Sequence, residues 1–147
     1  MQAQLTPDPL LADQIVNDTS TIFVVEDNPS LRALLCSVLS EEHPHFHICG
    51  SATGEQALTL ATQTRPRLLL LDYHLAGNMN GIELYDAFCG QGESISTIMI
   101  SGDAPPADLQ LRHIPNLGKP FDLEILLERV GRELSPAQAA GVFSPAD

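Results

Sequence analysis

Positive charge is what this chain has least of. Its 147 residues hold 7 Lys and Arg against 19 Asp and Glu, a formal net charge of −12. So anionic a surface repels nucleic-acid phosphates and anionic lipid headgroups, which argues against direct nucleic-acid or membrane partners. Long apolar runs are missing too: the densest, Leu68 to Leu71, is far short of the roughly 20 residues that cross a bilayer. No Lys or Arg precedes Arg32, and no extended apolar stretch lies there to target or anchor the chain. A cytoplasmic location is the expectation. Cysteine is sparse and odd in number. Cys36, Cys49 and Cys89 lie among apolar neighbours with no CxxC pair, which reads as reduced core or near-core thiols. No GxxxxGK loop follows the first apolar run, so a phosphate-cradling nucleotide site is excluded. There is no internal repeat, and a chain of this size has no room for a second output domain.

What is there is an alternation of strands and helices. Residues 1–20 mix Gln, Pro, Asp and Thr without a sustained period and read as an N-terminal extension, within which Leu10 to Val16 could dock as a short helix. From Thr21 the run Thr-Ile-Phe-Val-Val reads as a buried strand ending at Glu26 and Asp27. Asn28 caps a helix with Pro29 in its first turn, and Leu31, Leu34, Leu35, Val38 and Leu39 form its apolar stripe. His45 to Ser51 reads as a second strand, and Thr53 with Gln56 as a capping box opening a helix to about Gln63. Arg67 to Asp72 supplies a third strand whose four consecutive leucines argue burial on both faces. A Gly- and Asn-rich loop leads to a helix from Ile82 to about Phe88, then a strand from Ser96 to Ile100. A weak helical turn near Ala107 to Arg112 precedes a short strand at Asn116 to Gly118. Asp122 caps a last helix striped by Leu123, Leu126, Leu127, Val130 and Leu134, and residues 135–147 read as a tail. The core domain thus spans 21–134. Such alternation with short connections predicts an α/β doubly wound five-stranded parallel sheet.

In that fold functional groups gather beyond the carboxyl ends of the strands. Those ends deliver Glu26 and Asp27, Asp72, Ser101 and Lys119. Crowded carboxylates repel unless a cation sits among them, and hard oxygen ligands at this density call for Mg²⁺, which is typically held by one or two carboxylates plus phosphate oxygens. With the cation neutralising a transferring phosphoryl group, one carboxylate can act as nucleophile and become an acyl phosphate. Lys119, the only lysine in the chain, and Ser101 would hold the remaining oxygens. His43, His45 and His47 alternate and invite a zinc reading, but period two on an edge strand is more often solvent-facing, and no fourth ligand is apparent.

The stretches Ile-Phe-Val-Val-Glu-Asp-Asn, Leu-Leu-Leu-Leu-Asp-Tyr-His-Leu with Gly-Ile-Glu-Leu after it, Ile-Met-Ile-Ser-Gly and Leu-Gly-Lys-Pro-Phe together resemble the receiver domain of bacterial response regulators. The resemblance runs from about Thr21 to Leu134 and implies a flavodoxin-like sheet of order 2-1-3-4-5. It implies that Asp72 is the phosphoacceptor, Asp27 a direct Mg²⁺ ligand, Glu26 a ligand through water and the backbone carbonyl of His74 a further ligand. Ser101 would hydrogen-bond the phosphoryl group and Lys119 pair with it, across a Lys119–Pro120 step that is often cis in the family. The expected donor is a sensor histidine kinase or histidine phosphotransfer protein, and the output is altered binding to a downstream protein by a monomer or weak dimer.

Departures from the pattern matter as well. Receivers usually carry Tyr or Phe where this chain has Asn116, and fewer positions than usual separate Ser101 from Lys119, so the helix between strands four and five is expected to be short or remodelled. Ala76 stands where Pro is common, and Gly81 falls later than usual. His74 occupies a position that varies in the family and at which a side chain can shield the acyl phosphate, so it is expected to tune the hydrolysis rate. These departures motivate an alternative, a phosphorylation-independent adaptor with the same fold. A haloacid dehalogenase type phosphatase is excluded because His74 stands where its second Asp would be.

Overall fold

A computed structural model of the chain describes residues 21–61, 66–90, 95–102, 107 and 112–135. Strand β1 (Thr21–Val25) leads to helix α1 (Pro29–Glu42), β2 (His47–Ser51), α2 (Gly54–Ala61), β3 (Pro66–Asp72), α3 (Gly81–Cys89), β4 (Ser96–Ser101), β5 (Asn116–Gly118) and α4 (Leu123–Glu133). The five strands form one sheet in the order β2-β1-β3-β4-β5, and every pairing is parallel. The expected architecture is therefore observed. The expected helix near Ala107 to Arg112 falls, but for Ala107 and Arg112 themselves, outside the described residues, as do the N-terminal extension and the tail from 136 onward.

The leucine run of β3 shows how the sheet is built. Leu68 and Leu70 join Leu35 and Leu39 of α1 and Leu126 and Val130 of α4 on one face. Leu69 and Leu71 join Ala57 of α2 and Ile82 and Leu84 of α3 on the other. Alternation of side chains across a strand divides the run between two cores, and each fully buried leucine stabilises the fold by about 1.5–3 kcal/mol. Helix starts follow local chemistry. Asn28 accepts from the amides of Ser30 and Leu31, with Pro29 in the first turn of α1, and Asp122 accepts from the amide of Glu124. Asn80 and Glu83 form a reciprocal capping box at α3, a signature that Asn-x-x-Glu carries in the sequence and that the reading from Ile82 passed over.

Details depart from expectation for physical reasons. Leu34 is 49% exposed: only Leu35 and Leu39 of α1 reach full burial, so the buried stripe is narrower than its periodicity suggested. His45 and Phe46 precede β2 rather than opening it, because the Phe46 amide closes a turn onto the His43 carbonyl at 2.9 Å. At α2 the Thr53 hydroxyl accepts from the Gln56 amide, but the Gln56 side chain accepts from Ala52 instead of the capping residue. His45 and His47 are exposed at the sheet edge, while His43 packs edge-on against Phe46. The three cysteines are free thiols.

Candidate metal and phosphoacceptor site

The chain leaves β1 toward β2 on one side and reaches β3 on the other, so a crevice opens where β1 and β3 end side by side. Glu26 follows β1 and Asp72 closes β3. Carboxylate oxygens of Glu26, Asp27 and Asp72 all lie within 4.8 Å of one another. Glu26 is 1% and Asp72 4% exposed, whereas Asp27 faces solvent. Lys119, delivered from the end of β5, bridges the buried pair: its Nζ donates to Glu26 Oε1 at 3.2 Å and to Asp72 Oδ2 at 3.1 Å. The Lys119–Pro120 peptide bond is cis.

Neighbouring backbone holds each carboxylate. Glu26 Oε2 accepts from the Asn28 amide at 3.1 Å, and Asp72 Oδ1 accepts from the His74 amide at 3.1 Å. Arg32 donates from Nη1 to the Glu26 carbonyl at 2.8 Å, a contact from one turn into α1 that fixes the β1 end. Ser101 is fully buried at the end of β4, and its carbonyl accepts the Lys119 amide at 2.8 Å. Gly81 underlies the site. A Cβ there would fall 2.7 Å from the Asp72 carbonyl oxygen and 2.7 Å from Met99 Sδ, so only glycine lets α3 begin this close to β3.

Burial of the Glu26 carboxyl pushes its pKa up to about 7; the nearby Asp72 carboxylate adds to the rise, and the Asn28 amide and the Lys119 ammonium oppose it. Burial pulls the Lys119 ammonium down, but Asp72 and Glu26 outweigh it and the net shift is upward. One cation thus serves two buried acids, and a third carboxylate lies beside them, an environment that favours a hard divalent cation. The donor set fits Mg²⁺. Of the residues expected at this rim, Glu26, Asp27 and Asp72 lie together, Lys119 reaches Glu26 and Asp72, and Ser101 closes the adjacent strand β4. Arg32, Gly81 and Glu55, described below, were not anticipated. Gly81 and Glu55 act between segments far apart in the sequence; Gly81 was noted only for its displaced position, and Arg32, six residues from Glu26, carried no signal of its own. Asn116 Oδ1 is buried on β5 with no hydrogen-bond partner among the described residues.

A model of the response regulator receiver domain matches residues 22–131. The chain is 31% identical over 117 residues to the sporulation initiation phosphotransferase F of Bacillus subtilis, covering 77% of this chain and 92% of that one. It is 46% identical over 63 residues to the DNA-binding response regulator MtrA of Mycolicibacterium smegmatis, a match that spans 43% of this chain but only 26% of that longer protein. Among solved structures, the response regulator TrrA of Thermotoga maritima in complex with Mg²⁺ and BeF superposes with a TM-score of 0.68 at 26% identity, covering 78% of this chain and 99% of that one. This chain belongs to the response regulator receiver domain family. Receiver domains are phosphoacceptor modules of two-component signalling rather than conventional enzymes, and histidine kinases or phosphotransferases phosphorylate them. No helix among the described residues is long and apolar enough to cross a membrane.

Proposed function

We propose that this chain is a cytoplasmic phosphorelay receiver in which Asp72 accepts a phosphoryl group from a sensor histidine kinase or histidine phosphotransfer protein, and that altered binding to a downstream protein carries the signal. The observation that supports this most is the Lys119 ammonium lying 3.2 and 3.1 Å from two buried carboxylates of different strands. Asp72 accepts from the His74 amide and from Lys119 at once, as Glu26 does from the Asn28 amide and Lys119; what favours Asp72 is its place at the end of β3, where the family resemblance puts the phosphoacceptor. An Asp72 carboxylate oxygen attacks phosphorus, the bond from phosphorus to the donor's imidazole nitrogen breaks, and the imidazole leaves with that electron pair and takes up a proton. Lys119 moves from the carboxylate to a phosphoryl oxygen, and the Ser101 hydroxyl donates to another. Glu26, Asp27, Asp72 and the carbonyl of His74 would hold Mg²⁺, which supplies charge neutralisation for the phosphoryl oxygens. The His74 side chain, second after Asp72, tunes how fast water hydrolyses the acyl phosphate. The similar Thermotoga protein was solved with Mg²⁺ and BeF, and the similar Bacillus protein is a phosphotransferase of sporulation initiation; both support the reading.

Incubation with Mg²⁺ and acetyl phosphate, followed by intact mass measurement, gives one added phosphoryl mass on the wild type and none on Asp72→Asn. An unmodified wild type at saturating donor would reject the reading. It would favour the second one, an adaptor that works without phosphorylation, which Asn116 in place of the usual ring supports.

A further inference from the structure

The loop between Asp72 and α3 is tied to the start of α2 at several points, and two of them fall on Glu55. Asn78 donates its amide to Glu55 Oε2 at 3.1 Å. Gly77 stands directly beneath the same carboxylate: its φ is +94°, and a Cβ there would lie 2.9 Å from Glu55 Oε1. Thr53 and Ala76 form an isolated parallel bridge. The Met79 side chain covers the first residue of α2, with Sδ 3.0 Å from where a Gly54 Cβ would stand. The far end of the loop returns to the site, because the Gly81 amide donates to the Tyr73 carbonyl at 2.8 Å. Between these ties lie Tyr73 and His74, and the His74 amide holds Asp72.

We infer that Glu55 is a positioning residue for the phosphoacceptor site. Its carboxylate fastens the 76–79 segment to the start of α2, and this sets where the backbone of Tyr73 and His74 stands beside Asp72. The inference deepens the proposed function and rests on it, since the group whose position Glu55 governs is the His74 carbonyl, a ligand in that reading. Freed from Glu55, the Gly77–Asn78 stretch keeps the backbone freedom of glycine, and the His74 carbonyl samples positions in which it cannot bind the ion. An outlying residue that orients a ligand in this way changes metal affinity by roughly 10-fold or more. The bland reading of an exposed acid in the first turn of a helix is that it stabilises α2 through the helix dipole. The two separate cleanly, because Gln keeps the hydrogen-bond acceptor and loses the charge.

The test is Mg²⁺ titration by calorimetry of wild type, Glu55→Gln and Glu55→Ala, with hydrogen exchange at the Asn78 amide measured in metal-free protein. Positioning predicts that Glu55→Ala binds Mg²⁺ roughly 10-fold more weakly and loses protection at Asn78, while Glu55→Gln stays near wild type in both. Glu55→Ala matching wild type, or Glu55→Gln falling with Glu55→Ala, overturns the inference and leaves the phosphoacceptor assignment standing. A wild type that binds no Mg²⁺ overturns both.

Discussion

The Glu26 carboxyl offers a quantitative handle on the site. Its pKa rises from 4.5 to about 7, first through burial, and it is 1% exposed, so solvent screening does little to relieve its charge. A group whose folded pKa lies above its unfolded value favours the folded state fully below the unfolded pKa. That contribution is lost as pH rises through the folded pKa. Metal-free protein should therefore lose stability from about pH 4.5 to above pH 7 on account of this residue. Each pKa unit corresponds to about 1.4 kcal/mol, so the full loss is on the order of 3 kcal/mol. The quantity to read is the difference between wild type and Glu26→Gln, which cannot ionise. The chain has no tryptophan; urea unfolding in EDTA, followed by far-ultraviolet circular dichroism between pH 5 and pH 8.5, is the suitable assay. Glu26→Gln should gain on wild type by about 2–3 kcal/mol over that interval, and saturating Mg²⁺ should restore much of what the wild type loses. Parallel stability curves for the two proteins would show that Glu26 is not the strained acid described above.

Three further substitutions probe the surroundings. Gly81→Ala pushes a methyl into the Asp72 carbonyl and Met99 and should cost about 1–3 kcal/mol in urea unfolding, with a wild-type midpoint refuting the close-approach account. Lys119→Ala leaves Glu26 and Asp72 without their shared cation; it should bind Mg²⁺ more tightly by calorimetry yet accept phosphoryl from acetyl phosphate more slowly, and weaker Mg²⁺ binding would count against it. Arg112→Ala removes a bidentate bond to Asp86 that holds the Asp86 carboxyl below the usual range. Asp86 is half exposed, so the loss should stay under about 1 kcal/mol. It should disappear as pH falls through the Asp86 pKa, because a depressed carboxylate gives up its stabilisation on protonation.

Much of this architecture could be read from residue types in order. The four leucines before Asp72 announced a strand buried on both faces, and Asn28 and Asp122 announced helix starts, because strand burial and helix capping are local properties written in adjacent residues. The rim of Glu26, Asp27, Asp72, Ser101 and Lys119 was legible for a different reason: in a parallel sheet, strand ends converge, so topology alone assembles the site. Leu34 was misread because periodicity marks one side of a helix but not how much of that side the sheet covers. Glu55 was invisible because its partner Asn78 is 23 residues away and its own type, an acid opening a helix, has an ordinary explanation. Gly81 was noticed only as displaced from its usual place. Its proximity to the Asp72 carbonyl is a fact of packing between α3 and β3, which no spacing rule encodes.

Asp72 is the acid proposed to become an acyl phosphate, among three carboxylates close enough to compete. Borohydride reduction after treatment with Mg²⁺ and acetyl phosphate, followed by peptide mapping, converts the modified acid to its alcohol and so locates it. The predicted result is conversion at Asp72, abolished by EDTA. Conversion at Glu26 or Asp27 instead, or at Asp72 without any need for Mg²⁺, would contradict it.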